Sequence, residues 1–115
     1  MKKNKTVLVT GACGFIGQAL CVSLSKKYNV IGIHAFALSN DEASAYGRNF
    51  APAVGIDEES ATGTSNGALA CYINKYVDFN KSNFIMRQGY SMGMPSEINV
   101  KLKLKNHSIS EVWVG

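Results

Sequence analysis

Two adjacent glutamates precede a cluster of hydroxyl residues and an apolar run, in the sequence EESATGTSNGALACYINKY at residues 58–76. Residues 66–76 predict a helix, and the residues before it are typical of helix caps: Thr62, Thr64, Ser65 and Asn66. The unpaired amides and the positive dipole end at a helix start form a binding site for an anion. A carboxylic acid beside them can exchange a proton with a ligand, because burial and the dipole change its proton affinity.

These residue types predict a division of roles. The amides of residues 63–66 and the hydroxyls of Thr62, Thr64 and Ser65 could hold the carboxylate of a small metabolite, while a neighbouring acid moves a proton. From the residues alone, a well-capped helix with surface acids is the simpler interpretation. The two interpretations differ in whether the acids face a ligand or only water.

The predicted helix is apolar on nearly every side, and we therefore expect other elements to surround it. Residues 84–87 predict one strand. In residues 98–105, the apolar positions Ile98, Val100, Leu102 and Leu104 alternate with polar ones, which predicts a half-buried strand. A turn at residues 106–108 and a strand at 109–114 complete a hairpin, whereas residues 46–56 predict an irregular strand or loop.

A second motif, TVLVTGACGFIGQAL at residues 6–20, predicts a strand, a glycine turn and a helix that continues to about residue 28. The GxxGxxG spacing of Gly11, Gly14 and Gly17 allows a tight turn and close approach of a pyrophosphate, as in dinucleotide sites. Residues 29–38 predict a second strand. The acid expected near its end is absent, because that position is His34, which we interpret as structural.

Composition limits the remaining possibilities. A chain of 115 residues can bury one modest core, and its net charge of +4 is too small to indicate nucleic-acid binding. No apolar run is long enough for a membrane span. The three cysteines, Cys13, Cys21 and Cys71, lack metal-ligand spacing, so the sequence predicts no metal site and a location in a reducing cytoplasm.

Residues 1–33 resemble the start of the extended short-chain dehydrogenases, the NAD-dependent epimerases and dehydratases, through TVLVTGACGFIGQAL. The resemblance implies a truncated Rossmann-type β-α-β unit, with the pyrophosphate of NAD over Gly11, Gly14 and Gly17. The catalytic pair of that family, a tyrosine followed four residues later by a lysine, does not occur in this sequence.

Residues 34–115 resemble the second half of PhzF-like phenazine-biosynthesis isomerases, through RNFAPAVGIDEESATGTSNGALACYI, QGYSMGMPSEINV and the closing ISEVWVG. The resemblance implies an α+β fold in which an antiparallel sheet wraps a central helix, which is half of a diaminopimelate-epimerase-like fold. The family pattern EDPATGS is EESATGT here, so Glu59 takes the catalytic acid position and Thr64 the hydroxyl position. The remaining residues at the helix start then bind the substrate anion: Thr62, Gly63, Ser65 and Asn66.

These observations predict a chimera of a dinucleotide-type unit at residues 1–33 and a PhzF-like half domain at residues 34–115. The predicted function is a cofactor-independent isomerase module that shifts a proton within a small carboxylate-bearing metabolite. The glutamate that acts from the other half of such enzymes is not in this sequence, so we expect a homodimer or a separate complementary half as partner. The alternatives are an NAD(P)-binding fragment and a non-catalytic chimeric remnant.

Overall fold

The structure, a computed structural model, describes residues 15–115. The predicted strand at residues 6–10, together with Gly11 and Gly14, lies outside this range. In chain order the elements are α1 (Phe15–Tyr28), β1 (Ile33–Leu38), β2 (Ala45–Ala51), β3 (Ile56–Glu59), α2 (Gly63–Tyr76), β4 (Asn83–Gln88), β5 (Ser96–Lys105) and β6 (Ser108–Val114), with short 3₁₀ turns at Pro52–Val54 and Tyr90–Met92. The fold is mixed α+β, as predicted. Within residues 15–115, neither helix has the length and apolar character needed to cross a bilayer.

The strands form one curled six-stranded sheet in the order β1-β2-β4-β5-β6, with β3 paired to β2. The predicted sheet is wholly antiparallel, but the structure contains one parallel pair, in which residues 45–47 of β2 lie against residues 86–88 of β4. This pair is possible because β3 and α2 form the long crossover that parallel strands require. The other strand pairs are antiparallel.

The main core lies between α2 and the concave face of the sheet. It consists of Leu69, Ala70 and Ile73 from α2, packed against Ala45, Phe84, Met86, Ile98, Val100 and Leu102 from the strands. The predicted alternation in β5 is confirmed from Ile98 to Leu102, whereas Leu104 is exposed at the end of the strand. The β5–β6 turn is also confirmed, because Asn106 and His107 both adopt the left-handed backbone that favours a two-residue hairpin turn.

The prediction that α2 is surrounded on every side is wrong. The curled sheet covers one face of the helix and leaves a strip open between β1 and β6, the strands at the two ends of the order β1-β2-β4-β5-β6. By helical periodicity this strip carries Thr64, Ala68, Cys71 and Lys75, of which all but the half-buried Cys71 are exposed. A sequence pattern does not predict the strip, because alanine and cysteine count as apolar but need no burial.

Helix α1 packs on the face of β1 and β2 that points away from α2. A small cluster of Cys21, Ala35 and Phe50, with Ile33 against it, forms this contact. The predicted second strand begins later than expected, at Ile33 rather than at residue 29. Asn29 adopts a left-handed backbone (φ 52°) and the amide of Val30 donates to the Ser25 carbonyl at 3.2 Å, so these residues end the helix instead.

The loop after β4 packs closely against the connection between β3 and α2. Gly89 has a φ of +83°, and a Cβ atom there would overlap the carbonyl oxygen of Met94 and lie 2.8 Å from that of Ser60. The hydroxyl of Ser96 donates to the same Ser60 carbonyl at 2.6 Å. Gly89 therefore fixes the distance between the end of β4 and the segment that leads into α2.

We expect Gly89→Ala to lower the free energy of unfolding by about 3 kcal/mol or more. The new methyl group would overlap two carbonyl oxygens, and an alanine in the left-handed conformation carries a further cost. Gly93 is the matched control, since its φ is +66° and no atom lies within 4 Å of the place that a Cβ atom would occupy. Gly93→Ala should cost only about 1 kcal/mol. Urea unfolding measures both values, and equal losses would contradict this account of Gly89.

Candidate functional site

Glu58 and Glu59 are adjacent in β3 and point to opposite faces of the sheet, because side chains alternate along a strand. Arg48 binds both oxygens of Glu58, from Nε to Oε1 and from Nη2 to Oε2, each at 2.8 Å. The hydroxyl of Ser91 also donates to Oε1, at 2.9 Å. The hydrogen bonds from Arg48 lower the pKa of Glu58 below its ordinary value. Glu58 is therefore an ionised structural partner of Arg48.

Glu59 is half-buried on the other face, beside the start of α2. Its Oε2 atom accepts hydrogen bonds from the Thr62 hydroxyl at 2.7 Å and from Nδ2 of Asn49 at 3.1 Å. Asn49 is the residue directly opposite Glu59 in the β2–β3 pairing. Both contacts fall on one oxygen, and Oε1 has no hydrogen bond within the described chain. Hydrogen bonds thus hold the Glu59 carboxylate through Oε2 and leave Oε1 available to a ligand.

A network of buried side-chain amides holds Glu59 and Thr62 in place from the protein interior. Gln88 is fully buried, and its Nε2 donates to the Glu59 carbonyl at 2.7 Å and to the Thr62 hydroxyl at 3.0 Å. Its Oε1 accepts from Nδ2 of Asn66 at 2.8 Å, and the same nitrogen donates to the Thr62 carbonyl at 2.9 Å. Gln88 therefore fixes both the backbone of Glu59 and the first turn of α2.

The predicted site residues at the helix start fall into two groups. Gly63 and Thr64 are exposed and Ser65 is half-buried, so their amides, which have no carbonyl one turn earlier to bond, can meet a ligand. Thr62 occupies the N-cap position, but its hydroxyl serves Glu59 rather than the helix. The Asn66 amide nitrogen is committed inside the network and its backbone N–H bonds the Thr62 carbonyl at 3.2 Å. Thr62 and Asn66 consequently support the site from within.

A groove of about 420 Å³ opens beside these residues, between α2 and the strands β1 and β2. Ser65, Ala68, Leu69 and Tyr72 line it from the helix, and Ile31, Gly32, His34, Phe36, Asn49 and Ala51 line it from the strands. Phe36 and Tyr72 meet edge to face across it, with ring centroids 5.8 Å apart. The groove is mainly apolar and its polar groups, Ser65, His34 and Asn49, lie near the Glu59 network.

The interpretation of His34 as a purely structural residue is incomplete, because the structure connects it to Glu59. Its Nδ1 atom lies 3.1 Å from Oδ1 of Asn49, whose Nδ2 contacts Glu59. Burial lowers the pKa of His34 below its ordinary value of 6.5, against smaller raising effects of Asn49 and Asn66. The sequence indicates only which face His34 occupies, because alternation in β1 places it on the same face as Phe36, which contacts α2.

Gly47 makes room for the His34 ring. A Cβ atom at Gly47 would lie 2.9 Å from Nε2 and 3.0 Å from Cε1 of His34, which is closer than a carbon atom fits. The absence of a side chain at residue 47 therefore leaves room for the imidazole beside β2.

The other candidate groups take no part in this site. Burial raises the pKa of the Cys71 thiol, which makes it a poor nucleophile at neutral pH. Among the described residues, no cluster of three or more His, Cys, Asp or Glu side chains is placed to hold a metal ion. Of the three glycines predicted to bind NAD, Gly17 lies in the first turn of α1 and is buried, while Gly11 and Gly14 lie outside the described range.

We expect Gln88→Leu to lower the free energy of unfolding by about 2–4 kcal/mol, because it leaves the Glu59 carbonyl and the Asn66 amide without their buried partner. Asn83→Leu in the same strand is the control, since Asn83 is exposed and should change stability by less than about 0.5 kcal/mol. Chemical denaturation measures both changes. A loss for Gln88→Leu no larger than that of the control would refute the supporting role of Gln88.

A second prediction concerns pH. Because the pKa of Glu58 is lower in the folded chain than its ordinary 4.5, its pairing stabilises the fold above pH 4.5 and this contribution is lost as pH falls through the folded value. Glu58→Gln should therefore cost about 1–2 kcal/mol at neutral pH and progressively less below pH 4.5. Glu111→Gln, which removes an exposed pair with Lys103, is the control and should cost under about 1 kcal/mol. A Glu58→Gln deficit that does not shrink in acid would contradict the assignment.

Several proteins that are named as isomerases are similar to this chain. It is 33% identical over 98 residues to an uncharacterized isomerase of Clostridium acetobutylicum, which covers 80% of this chain and 32% of that protein. It is 31% identical over 96 residues to an uncharacterized isomerase of Deinococcus radiodurans, again covering 80% of this chain and 31% of the relative. The chain thus spans about a third of the length of these curated relatives.

A solved structure has a similar fold. The crystal structure of the Bacillus anthracis phenazine biosynthesis protein of the PhzF family superposes with a TM-score of 0.62, at 20% identity, and the match covers 78% of this chain and 36% of that one. The curled sheet packed on α2 is therefore a fold found in that family.

The family match itself starts within α1 and ends one residue before the end of the chain. It crosses the predicted boundary between residues 33 and 34, which stays a prediction. The predicted dehydrogenase-like start finds no support in these comparisons. Because the match to the phenazine biosynthesis-like protein family (PhzC-PhzF) covers residues 19–114, well over half of the sequence, this chain belongs to that family.

Proposed function

We propose that this chain supplies one face of a cofactor-independent isomerase site, at which a proton moves between two carbon atoms of a small carboxylate-bearing metabolite. Glu59 is the group that accepts or donates the proton. The observation that carries the proposal is the anchoring of its Oε2 by Thr62 and Asn49, which leaves Oε1 without a hydrogen bond within the described chain. The neighbouring Glu58 is bound by Arg48 on the opposite face, so the choice of Glu59 does not depend on the family pattern alone.

The start of α2 is the proposed binding site for the substrate carboxylate. The amides of Gly63, Thr64 and Ser65 carry the positive end of the helix dipole, and the hydroxyls of Thr64 and Ser65 add two donors. Thr62 and Asn66 hold this turn in place through Gln88. Such a reaction needs only positioned acids and bases, so the proposal includes no cofactor.

A proton shift between two carbons needs groups on both sides of the substrate. The chain spans about a third of the length of its curated relatives, and in this proposal Glu59 supplies a group on one side of the substrate only. We therefore propose that the opposing group comes from a complementary half or from a second copy of the chain. The open strip of α2 between β1 and β6 supports this, because among residues 15–115 the outer edges of these two strands have no strand partner and can pair with further strands.

In this view the curled sheet and α2 form one half of a diaminopimelate-epimerase-like fold, and the opposing half would complete both the sheet around α2 and the active site. The groove beside Ser65 and Tyr72 would then receive the apolar body of the substrate, while its carboxylate lies at the helix start. The reactive carbon would lie between Oε1 of Glu59 and the opposing group.

The test mixes this chain with the remainder of the Clostridium acetobutylicum relative, produced without the matching segment, and incubates the mixture in D₂O with a panel of small unsaturated carboxylates. Mass spectrometry of the carboxylates measures carbon-bound deuterium. Glu59→Gln should reduce incorporation by about 100-fold or more, because it removes a proton-transferring group.

Glu58→Gln is the matched control, because it makes the same chemical change one residue away on the opposite face of β3. It should keep incorporation within a few fold of the original chain after correction for folded protein. Incorporation that survives Glu59→Gln, or that fails equally in both variants, would refute the role of Glu59.

A further inference from the structure

We propose that His34 is a positioning residue for Glu59, acting through Asn49, and that it determines which oxygen of the Glu59 carboxylate faces the ligand. The inference rests on the proposed function of Glu59 but concerns a side chain outside the helix-start motif. Three side chains from three strands form the connection: His34 in β1, Asn49 in β2 and Glu59 in β3.

The direction of each hydrogen bond in this connection follows from the charge on Glu59. An ionised carboxylate only accepts hydrogen bonds, so the amide nitrogen of Asn49 must point to Glu59, at 3.1 Å. The amide oxygen of Asn49 then points to Nδ1 of His34, also at 3.1 Å. Because that oxygen can only accept, Nδ1 of His34 must carry a proton. The charge on Glu59 thus determines which nitrogen of the His34 ring carries the proton, although Glu59 is connected to the ring only through Asn49.

The other side of the ring is sealed from solvent. Asn66 uses its amide nitrogen for Gln88 and for the Thr62 carbonyl, which leaves its Oδ1 as an acceptor. Oδ1 of Asn66 and Nε2 of His34 are both buried and have no hydrogen-bond partner within the described chain. The ring is therefore held by its Nδ1 contact with Asn49, while Asn66 acts on it more weakly and, like Asn49, raises its pKa against the larger effect of burial.

The arrangement is specific to an imidazole. Gly47 leaves room for the ring, and the register of β1 and β2 places His34 directly opposite Asn49. Without the Nδ1 donor, the amide oxygen of Asn49 would lose its partner, and the amide would no longer be held in the position from which its nitrogen bonds Oε2 of Glu59. Glu59 would then keep only the bond from Thr62 at Oε2, and its carboxylate would be free to rotate.

Of the two adjacent glutamates, only Glu59 is joined to His34 through Asn49. Arg48 and Glu58 pair with each other on the opposite face of β2 and β3. The groove in front of the ring is lined by uncharged residues: Ile31, Gly32, Phe36, Asn49, Ala51, Ser65, Ala68, Leu69 and Tyr72. A change in the charge of Glu59 should therefore be detectable at His34, and a change at Glu58 should not.

The test is ¹⁵N NMR of the histidine ring nitrogens near pH 7.5 in the chain itself, in which His34 is assigned by comparison with His107→Gln. The original chain should show His34 with Nδ1 protonated. Glu59→Gln lets Asn49 turn over, so both His34 tautomers should appear. Glu58→Gln, the matched control, should leave the Nδ1-protonated form unchanged. A ring protonated at Nε2 in the original chain, or an equal response to the two glutamine substitutions, would overturn the proposal.

A second measurement uses a pair of substitutions at His34. Asparagine can place its amide nitrogen where Nδ1 lies, whereas glutamine reaches towards Nε2. His34→Asn should keep the Asn49 side-chain amide protons slow to exchange with solvent, and His34→Gln should speed their exchange by about tenfold, as for the loss of one hydrogen bond. Equal exchange rates in the two variants would overturn the proposal. Neither measurement needs a ligand or turnover, so failure of the deuterium experiment would leave these outcomes distinct.

Discussion

The candidate site depends on one buried amide, that of Gln88. A fully buried amide must find partners for two donors and an acceptor, and each partner of Gln88 belongs to the segment that leads into α2 or to the helix itself. The cost of leaving any of them unpaired in the core is large compared with the net gain from a surface hydrogen bond. The end of β4 therefore determines where β3 stops and where α2 begins, although it lies 22 residues after Asn66 in the chain.

The strand pleat then divides the two glutamates. Glu58 lies beside Arg48, and the pair satisfies itself with the help of Ser91. Glu59 faces Asn49 and Thr62, which donate to a single oxygen. The two residues have nearly the same chemistry in isolation, and their different roles come from the face of β3 that each one occupies. A carboxylate that is held by neutral donors keeps its charge available, whereas one bound by a guanidinium does not.

Several features of this fold are accessible from sequence because they depend on local patterns. The alternation in β5, the turn at Asn106 and His107 and the presence of α2 are of this kind, although α2 begins at Gly63 rather than at residue 66 and includes two of the hydroxyl residues predicted to precede it. The parallel pairing of β2 with β4 is not accessible, because it depends on a crossover between segments far apart in the chain. The one-sided burial of α2 is also hidden, since hydropathy does not tell whether neighbouring strands are present to cover a small side chain. The role of His34 cannot be predicted from local pattern because its partner, Asn49, comes from another strand, and only strand register brings the two together.

The space above Gly47 links two positions that look independent in the sequence. The side chains at position 34 in β1 and position 47 in β2 would occupy the same space beside the sheet. A larger side chain at one position therefore requires a smaller one at the other. Sequence variation at these two sites should therefore be correlated across related chains, with histidine at position 34 restricted to chains that have glycine at position 47. In protein engineering, positions 34 and 47 must therefore be changed together. One methyl group added at position 47 would displace the His34 ring, with every polar residue of the network left in place.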